Sequence, residues 1–398
     1  MLGRIWNKDE QGKQEQIQSA VTQEQRQTKE VTKDAEVYRV PNVITTEING
    51  KYTINDLFDI MITENISDLH ILPEYPPVFR LHGDIIPSDL PCLSSEQAKA
   101  LIYQSLTKDE IIKFEELGDL DSSYEAKDIA RFRINVLKQN NGTGAVFRQI
   151  PIDMPTIDDL ELPSVLKRFI HYRQGLILVT GPTGSGKSTT LAAIINYANR
   201  NRSAKIITIE DPLEFTHTSD KCLIIHRQVG LHARSFADAL RAAMREDPDI
   251  ILIGEMRDLE TVSLAVTAAD MGILVFATLH TNSAAKTVDR IIDVFPSEKQ
   301  GQIRSMLSTS LKAVISQTLL KTIDGKSRCC AMEIMLESTG ISSLIREGKI
   351  SLMESLILSG RDQGMQIMDQ ALKDLVLSGK VSFEEAKERA TEPETFLR

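Results

Sequence analysis

Four short apolar runs set the frame of this chain. Residues 176–180, 206–209, Ile250–Ile253 and 273–279 are each about a strand long, and stretches with helical spacing separate them. Strands buried on both faces read as unbroken apolar runs. Their alternation with helices predicts a parallel sheet covered on both sides. Ahead of this region the pattern is mixed. Residues 53–62 have helical spacing, and 69–72, 78–81, 131–137 and 144–150 read as strands. Pro76-Pro77 and Gly83-Asp84 punctuate them as turns. Beyond about residue 335 the spacing turns helical, over 341–346, 365–377 and 383–390.

These shifts divide the chain. Residues 1–50 form a polar tail: 8–36 is rich in Gln, Glu, Lys and Thr, too poor in apolar groups to offset the entropy of ordering. A small α/β domain follows over 51–150. A linker over 151–165 contains three prolines and several aspartates, the sheet region spans 166–335, and a helical C-terminal region covers 336–398. There is no internal repeat.

Composition narrows the classes of function. The 398 residues are 41% hydrophobic, enough for real cores, and carry 56 acidic against 46 basic groups, a net charge of −10. That balance argues against a dedicated nucleic-acid binder, which usually shows a basic excess. Cys92, Cys222, Cys329 and Cys330 include no Cys-x-x-Cys pair, so a tetracysteine zinc site is not expected. Reduced cytosolic thiols fit better. No run approaches the roughly 20 residues of a membrane span. A cytoplasmic chain is expected, with membrane contact only at the periphery.

The sharpest chemistry sits after the first run. Gly181, Pro182, Thr183, Gly184, Ser185, Gly186, Lys187 and Ser188 match G-x-x-x-x-G-K-[ST], with Thr189 next on the helix that follows. A strand before and a helix after are what this phosphate loop requires. Backbone amides and the helix N-terminus would cradle phosphates, Lys187 would pair with the β- and γ-phosphates, and Ser188 would bind Mg²⁺. ATP and Mg²⁺ are thus the expected ligands. Ligands in open α/β sheets lie beyond the carboxyl ends of the strands. The other runs end in Glu210, Asp211 and Glu214, then in Glu255, then in His280. Phosphoryl transfer needs a carboxylate for the metal shell, another for water and a polar sensor. Alone, Glu255 also fits an acid at a helix N-terminus and His280 a satisfied buried histidine. Their joint placement favours the catalytic reading.

These segments resemble the type II/IV secretion ATPases, and within them the twitching-motility retraction ATPases (the PilT type). The resemblance runs from about residue 52 to 398 and is carried by GLILVTGPTGSGKSTTLAAIINY, IITIEDPLEF, ALRAAMREDPDIILIGEMRDLET, LVFATLHTNSAAKTVDRIIDVFP and SMLSTSLKAVISQTL. It implies an α/β fold: a RecA-like P-loop ATPase core, preceded by a small PAS-like α+β domain and followed by a helical region. It implies that Glu214 orients the attacking water with Glu210 and Asp211 in support, that Glu255 is the Walker B acid on Mg²⁺, and that His280 senses the γ-phosphate. ARFRIN resembles the arginine-bearing segment of the family, making Arg131 and Arg133 candidates to reach the nucleotide. A surface ion-pair role for both stays open.

The same resemblance implies a homohexameric ATPase that retracts type IV pili, acting on an inner-membrane platform protein, with a paralogous ATPase as a further partner. Arg241 and Arg245, spaced i,i+4, and Arg290 suit either a subunit interface or a solvated face paired with Asp238 or Asp249. GISSLIREGK and GMQIMDQAL resemble the C-terminal motifs of the retraction branch. Ser342 and Ser343, the IHRQ run and the long tail depart from the usual pattern and point toward a divergent or accessory paralogue. A low-turnover scaffold and a DNA-handling ATPase are the competing classes.

Overall fold

The computed structural model describes residues 52–391 except 65, 82–83, 127–129, 151–153 and 326, together with 393 and 396. The polar tail therefore lies outside the described residues. The N-terminal lobe is a six-stranded antiparallel sheet of β1 (Asp68–Ile71), β2 (Val78–Leu81), β3 (Asp84–Pro87), β4 (Asp119–Ala126), β5 (Ala130–Gln139) and β6 (Gly142–Ile150), in the order β3-β2-β1-β6-β5-β4. Three helices pack on it: α1 (Ile54–Thr63), α2 (Ser95–Tyr103) and α3 (Lys108–Leu117). Each opens with a capping box, Thr53 with Asp56, Ser94 with Gln97 and Thr107 with Glu110. The reciprocal side-chain bonds satisfy amides that the first turn leaves open.

Strand β5 shows how this lobe presents its arginines. Ala130, Phe132, Ile134 and Val136 are buried, while Arg131, Arg133 and Asn135 alternate with them and stay partly exposed. Period-two alternation thus sets both arginines on the face away from the core. On the core side Phe132 stacks on Phe58 of α1 at 3.8 Å between ring centroids, and Phe147 meets Phe58 edge-on at 5.4 Å.

The second lobe holds a seven-stranded sheet in the order β13-β12-β7-β11-β10-β8-β9. Its strands are β7 (Gly175–Thr180), β8 (Lys205–Glu210), β9 (Leu223–Gln228), β10 (Ile250–Ile253), β11 (Leu274–Leu279), β12 (Leu311–Lys321) and β13 (Arg328–Leu336). All neighbours pair in parallel except β12 with β13. Every residue of β7, β10 and β11 is buried, which requires cover on both faces. The helices are α4 (Lys187–Asn201), α5 (Phe236–Ala243), α6 (Leu259–Asp270), α7 (Ala284–Asp293), α8 (Ser297–Ser310), α9 (Thr339–Glu347), α10 (Met353–Ser359), α11 (Met368–Leu377) and α12 (Phe383–Arg389). Helices α11 and α12 close a small separate core, in which Met368, Ala371, Leu372 and Ala386 meet Leu320 and Ala331 of the β12–β13 hairpin.

The structure differs from the sequence reading at several places. Strands β3, β4 and β9, the β12–β13 hairpin and helices α2, α3 and α10 were not expected. The proline-rich stretch after residue 153 does not stand clear of the core, because Ile157 and Leu162 are buried in it. Arg241 and Arg245 do not share a helix face, since α5 ends at Ala243. Arg241 pairs with Asp238 at 3.0 Å and with Glu260, while Asp249 accepts from the Lys205 amide at 2.8 Å.

Replacing Phe58, fully buried under three aromatic neighbours, by Ala is expected to destabilise the N-terminal lobe by ~3–5 kcal/mol. Native-state hydrogen exchange of the β5 amides measures this. Unchanged protection there contradicts the packing described.

Candidate active site

Strand β7 ends in the phosphate loop. Gly181 sits at φ 145°, and a Cβ there would lie 2.3 Å from the Gln317 carbonyl oxygen and 2.6 Å from Ser185 Oγ. No other residue fits this position. Gly186, at φ 84°, is the N-cap of α4, and no side chain caps that helix. Its first-turn amides are therefore left to face a ligand, with the positive end of the helix behind them. From below, the buried Gln317 of β12 donates its Nε2 to the Ser185 carbonyl at 2.6 Å and holds the loop. Lys187 Nζ donates to the Gly181 and Pro182 carbonyls at 2.9 and 3.1 Å. Burial lowers its pKa, and the charges of Glu255 and Glu214 work against that. Both carboxylates thus lie within electrostatic reach of the lysine.

At the end of β8, Glu210 accepts from the Glu214 amide at 3.3 Å, which curls the acidic turn over the strand end. Burial pushes the Glu210 carboxyl up to about 7. Strand β9 braces this turn: Gln228 Oε1 accepts from the Leu213 amide at 3.3 Å, and the Val229 amide donates to the Glu210 carbonyl at 2.9 Å. Asp211 is exposed on the rim.

The N-terminal lobe reaches in here. Arg131 donates from Nη1 to Thr216 Oγ1 at 2.7 Å, two residues from Glu214, and from Nη2 to Ser123 Oγ at 3.3 Å. Arg133 makes no hydrogen bond or ion pair to the second lobe among the described residues. Only one of the two candidate arginines is therefore brought to the site in this arrangement.

Two histidines behind the acidic turn escaped the sequence reading. His226 Nε2 accepts from the His217 amide at 3.1 Å, while Nδ1 lies 2.9 Å from Thr208 Oγ1, so the ring proton is assigned to Nδ1. The two rings stack at 5.9 Å. Burial lowers both pKa values, His217 to about 4, and both are neutral near pH 7. His226 and Gln228 belong to the IHRQ run, so that departure from the family pattern shapes the support of the acidic turn. The only signal for it in the sequence was the departure itself.

Glu255 follows β10 and is held from two sides. Its Oε2 lies 2.7 Å from Arg257 Nη2 and its Oε1 3.1 Å from His280 Nε2. Burial acts to raise the Glu255 pKa. The Arg257 hydrogen bond and the charges of Arg257, His280 and Lys187 outweigh it, and the net shift is downward. The acid is therefore ionised and available to a cation. Arg257 was not singled out from sequence, because an arginine in a loop carries no pattern. A cavity of about 320 Å³ opens beside this trio, lined also by Thr281 and Arg290.

Among the described residues no group of three or more His, Cys, Asp or Glu side chains could hold a metal alone. Mg²⁺ does not need one, since it binds one or two protein oxygens and completes its shell with phosphates and water. The Ser188 hydroxyl and the ionised Glu255 carboxylate are hard oxygen donors of that kind, so the residues fit the ion.

The raised pKa of Glu210 makes a prediction. An unfolded Glu titrates near 4.5 and the folded one near 7, so between those values the folded state holds the extra proton and stability falls as pH rises. Glu210→Gln removes this loss. Its melting temperature should exceed that of the parent at pH 8, and the gap should close as pH falls toward 4.5. A gap independent of pH contradicts the burial of this carboxyl.

Known proteins resemble this chain over most of its length. A type II/IV secretion system protein domain matches residues 121–394. The chain is 51% identical over 343 residues to a Pseudomonas aeruginosa protein described as the type IV pilus retractation ATPase PilT, covering 86% of this chain and 99% of that one. It is 38% identical over 330 residues to the type IV pilus ATPase PilU of the same organism, covering 83% and 86%. A crystal structure of the pilus retraction motor PilT with bound ADP superposes with a TM-score of 0.81 at 43% identity, over 86% of this chain and 98% of that one. The chain belongs to the type II/IV secretion ATPase family, among its PilT-type ATPases.

Proposed function

We propose that this chain is a homohexameric motor that hydrolyses ATP to retract type IV pili and drive twitching. The observation that carries the reading is the meeting of Lys187, Glu214, Glu255 and His280 at one sheet edge, with Arg131 entering from the other lobe. Identity to the retraction ATPase (51%) exceeds that to the PilU-type paralogue (38%), which favours the motor over an accessory role. The altered GISSLIREGK segment keeps the accessory role as the second reading.

In this mechanism the phosphate loop from Gly181 to Thr189 binds the nucleotide. Lys187 leaves the Gly181 and Pro182 carbonyls for the phosphates. Glu214 orients the attacking water, and Glu210 with Asp211 shapes the turn that carries it. His280 leaves Glu255 to read the γ-phosphate. Bound Mg²⁺, held by Ser188 and Glu255, would neutralise charge that develops on the phosphates. Arg131 adds positive charge as the lobes close, a kind of contact worth ~10³ to 10⁵ in rate elsewhere. Arg133 is assigned the same role in a more closed state or toward a neighbouring subunit.

Closure of one lobe on the other would convert hydrolysis into movement. The partner moved is an inner-membrane platform protein of the pilus, which places the ring against the cytoplasmic face of the membrane as a peripheral protein. A paralogous ATPase is a further partner, and no nucleic acid is expected. The purified chain should sediment as a hexamer with ATP. Glu214→Gln should lower its turnover by ~100-fold or more, as for loss of a group acting in the transition state, with ADP affinity kept. Parental turnover in that variant removes Glu214 as the catalytic carboxylate, and a monomer in ATP removes the ring.

A further inference from the structure

Glu333 is a buried acid that the mechanism above does not use. It lies on β13, 8% exposed, and makes no ion pair among the described residues. Its Oε1 accepts from the amide of Ala284, the first residue of α7, at 2.6 Å. The amide of Met368, the first residue of α11, bears on the same carboxylate and favours its charged form. One side chain therefore caps α7 and stands at the first turn of α11. Such first-turn amides have no partner within their own helix, and the positive ends of both helices favour a negative charge between them. Helix α11 has no side-chain cap from its own N-cap, Ile367, which leaves its first amides open toward Glu333.

The two helices belong to different parts of the machine. Helix α7 begins four residues after His280, and the span between is stiff. Ser283 caps α7 through the Lys286 amide at 3.2 Å, Thr287 Oγ1 donates to the Ser283 carbonyl at 2.7 Å, and Thr287 and Thr281 share a hydroxyl bond at 2.6 Å. Helix α11 begins the segment that packs on the end of the β12–β13 hairpin. Just before it, Gln366 exchanges backbone bonds with Ile334 at 2.8 and 3.0 Å and donates its side chain to the Met332 carbonyl at 2.8 Å. The strand that carries Glu333 is thereby clamped to the start of α11.

We infer that Glu333 is a positioning residue that ties the His280 loop to the C-terminal helices, so that the nucleotide state read at His280 is passed into α11. This rests on the sensor role proposed for His280. Movement at Ser283–Ala284 pulls on the shared carboxylate, and the carboxylate must carry α11 along or break a bond that leaves a buried amide unpaired. Both helices then follow one element with two arrangements, which is the physical requirement for coupling.

Hydrogen exchange of the whole ring, with ADP and with a non-hydrolysable ATP analogue, tests this. In the parent, exchange should differ between the two nucleotides at both 284–293 and 366–377. In Glu333→Gln, whose side chain keeps one acceptor oxygen in place of two and carries no charge, the difference at 366–377 should shrink at least fivefold. The difference at 284–293 and the ADP affinity should stay within twofold. No difference at 366–377 in the parent overturns the tie, and so does a full difference there in Glu333→Gln.

A second pair guards against misfolding. Met368→Pro removes the α11 donor at a helix position where proline is accepted, while Met368→Ala shortens the side chain and keeps the amide. Only the proline variant should uncouple α11, and equal behaviour of the two overturns the tie. His280→Ala separates the underlying reading. A difference at 284–293 that survives in it contradicts the sensor role, while the comparison of the two helices still decides the tie.

Discussion

The candidate active site depends on one constraint, the in-register parallel pairing of β7, β11, β10 and β8. Thr180 pairs with Leu279, and Ile253 pairs with both Ala277 and Ile209. That register brings Gly181, His280, Gly254-Glu255 and Glu210 out along a single edge. A slip of one residue in any strand would turn its side chains to the opposite face and scatter the set. The register is held by burial rather than by special contacts, since every residue of β7, β10 and β11 is withdrawn from water. Fully burying one such aliphatic side chain is worth about 1.5–3 kcal/mol.

On that edge the charges are arranged in opposition. Glu255 is kept ionised by Arg257 and His280, while Glu210 a strand away is pushed toward neutrality by burial. Two carboxyls of one chemical kind are thus tuned apart, the pattern by which sites divide metal binding from structural or proton-holding work. Lys187 is folded onto its own loop and Glu255 onto its neighbours. In the proposed mechanism, binding a nucleotide exchanges these internal bonds for phosphate contacts. That exchange is the local event which lobe closure and the C-terminal helices can follow.

Much of the second lobe was legible because its strands are buried on both faces. The run Ile250–Ile253 matches β10 from end to end, and the runs for β7, β8 and β11 fall within one residue of their ends. The phosphate loop was legible because its glycines meet a backbone demand, seen at Gly181 against the Gln317 carbonyl. Strands with one wet face were not legible. β4, DLDSSYEA, alternates between buried and exposed with polar residues on both faces, and edge strand β9 is mostly half-exposed. Contacts made across the fold were equally hidden. No spacing announces that Arg131 meets Thr216, that His226 supports the turn at His217, or that Glu333 caps α7.

The claim that most needs a direct test is that turnover at this phosphate loop removes pili. Lys187→Ala, placed in the native host at the parental locus, takes away the ammonium proposed to bind phosphate, and surface pili are counted alongside twitching. Retraction by this chain predicts more surface pili than in the parent and no twitching. Cells with fewer pili or none contradict it and make the chain an assembly motor, while unchanged pili and motility remove it from the main retraction step.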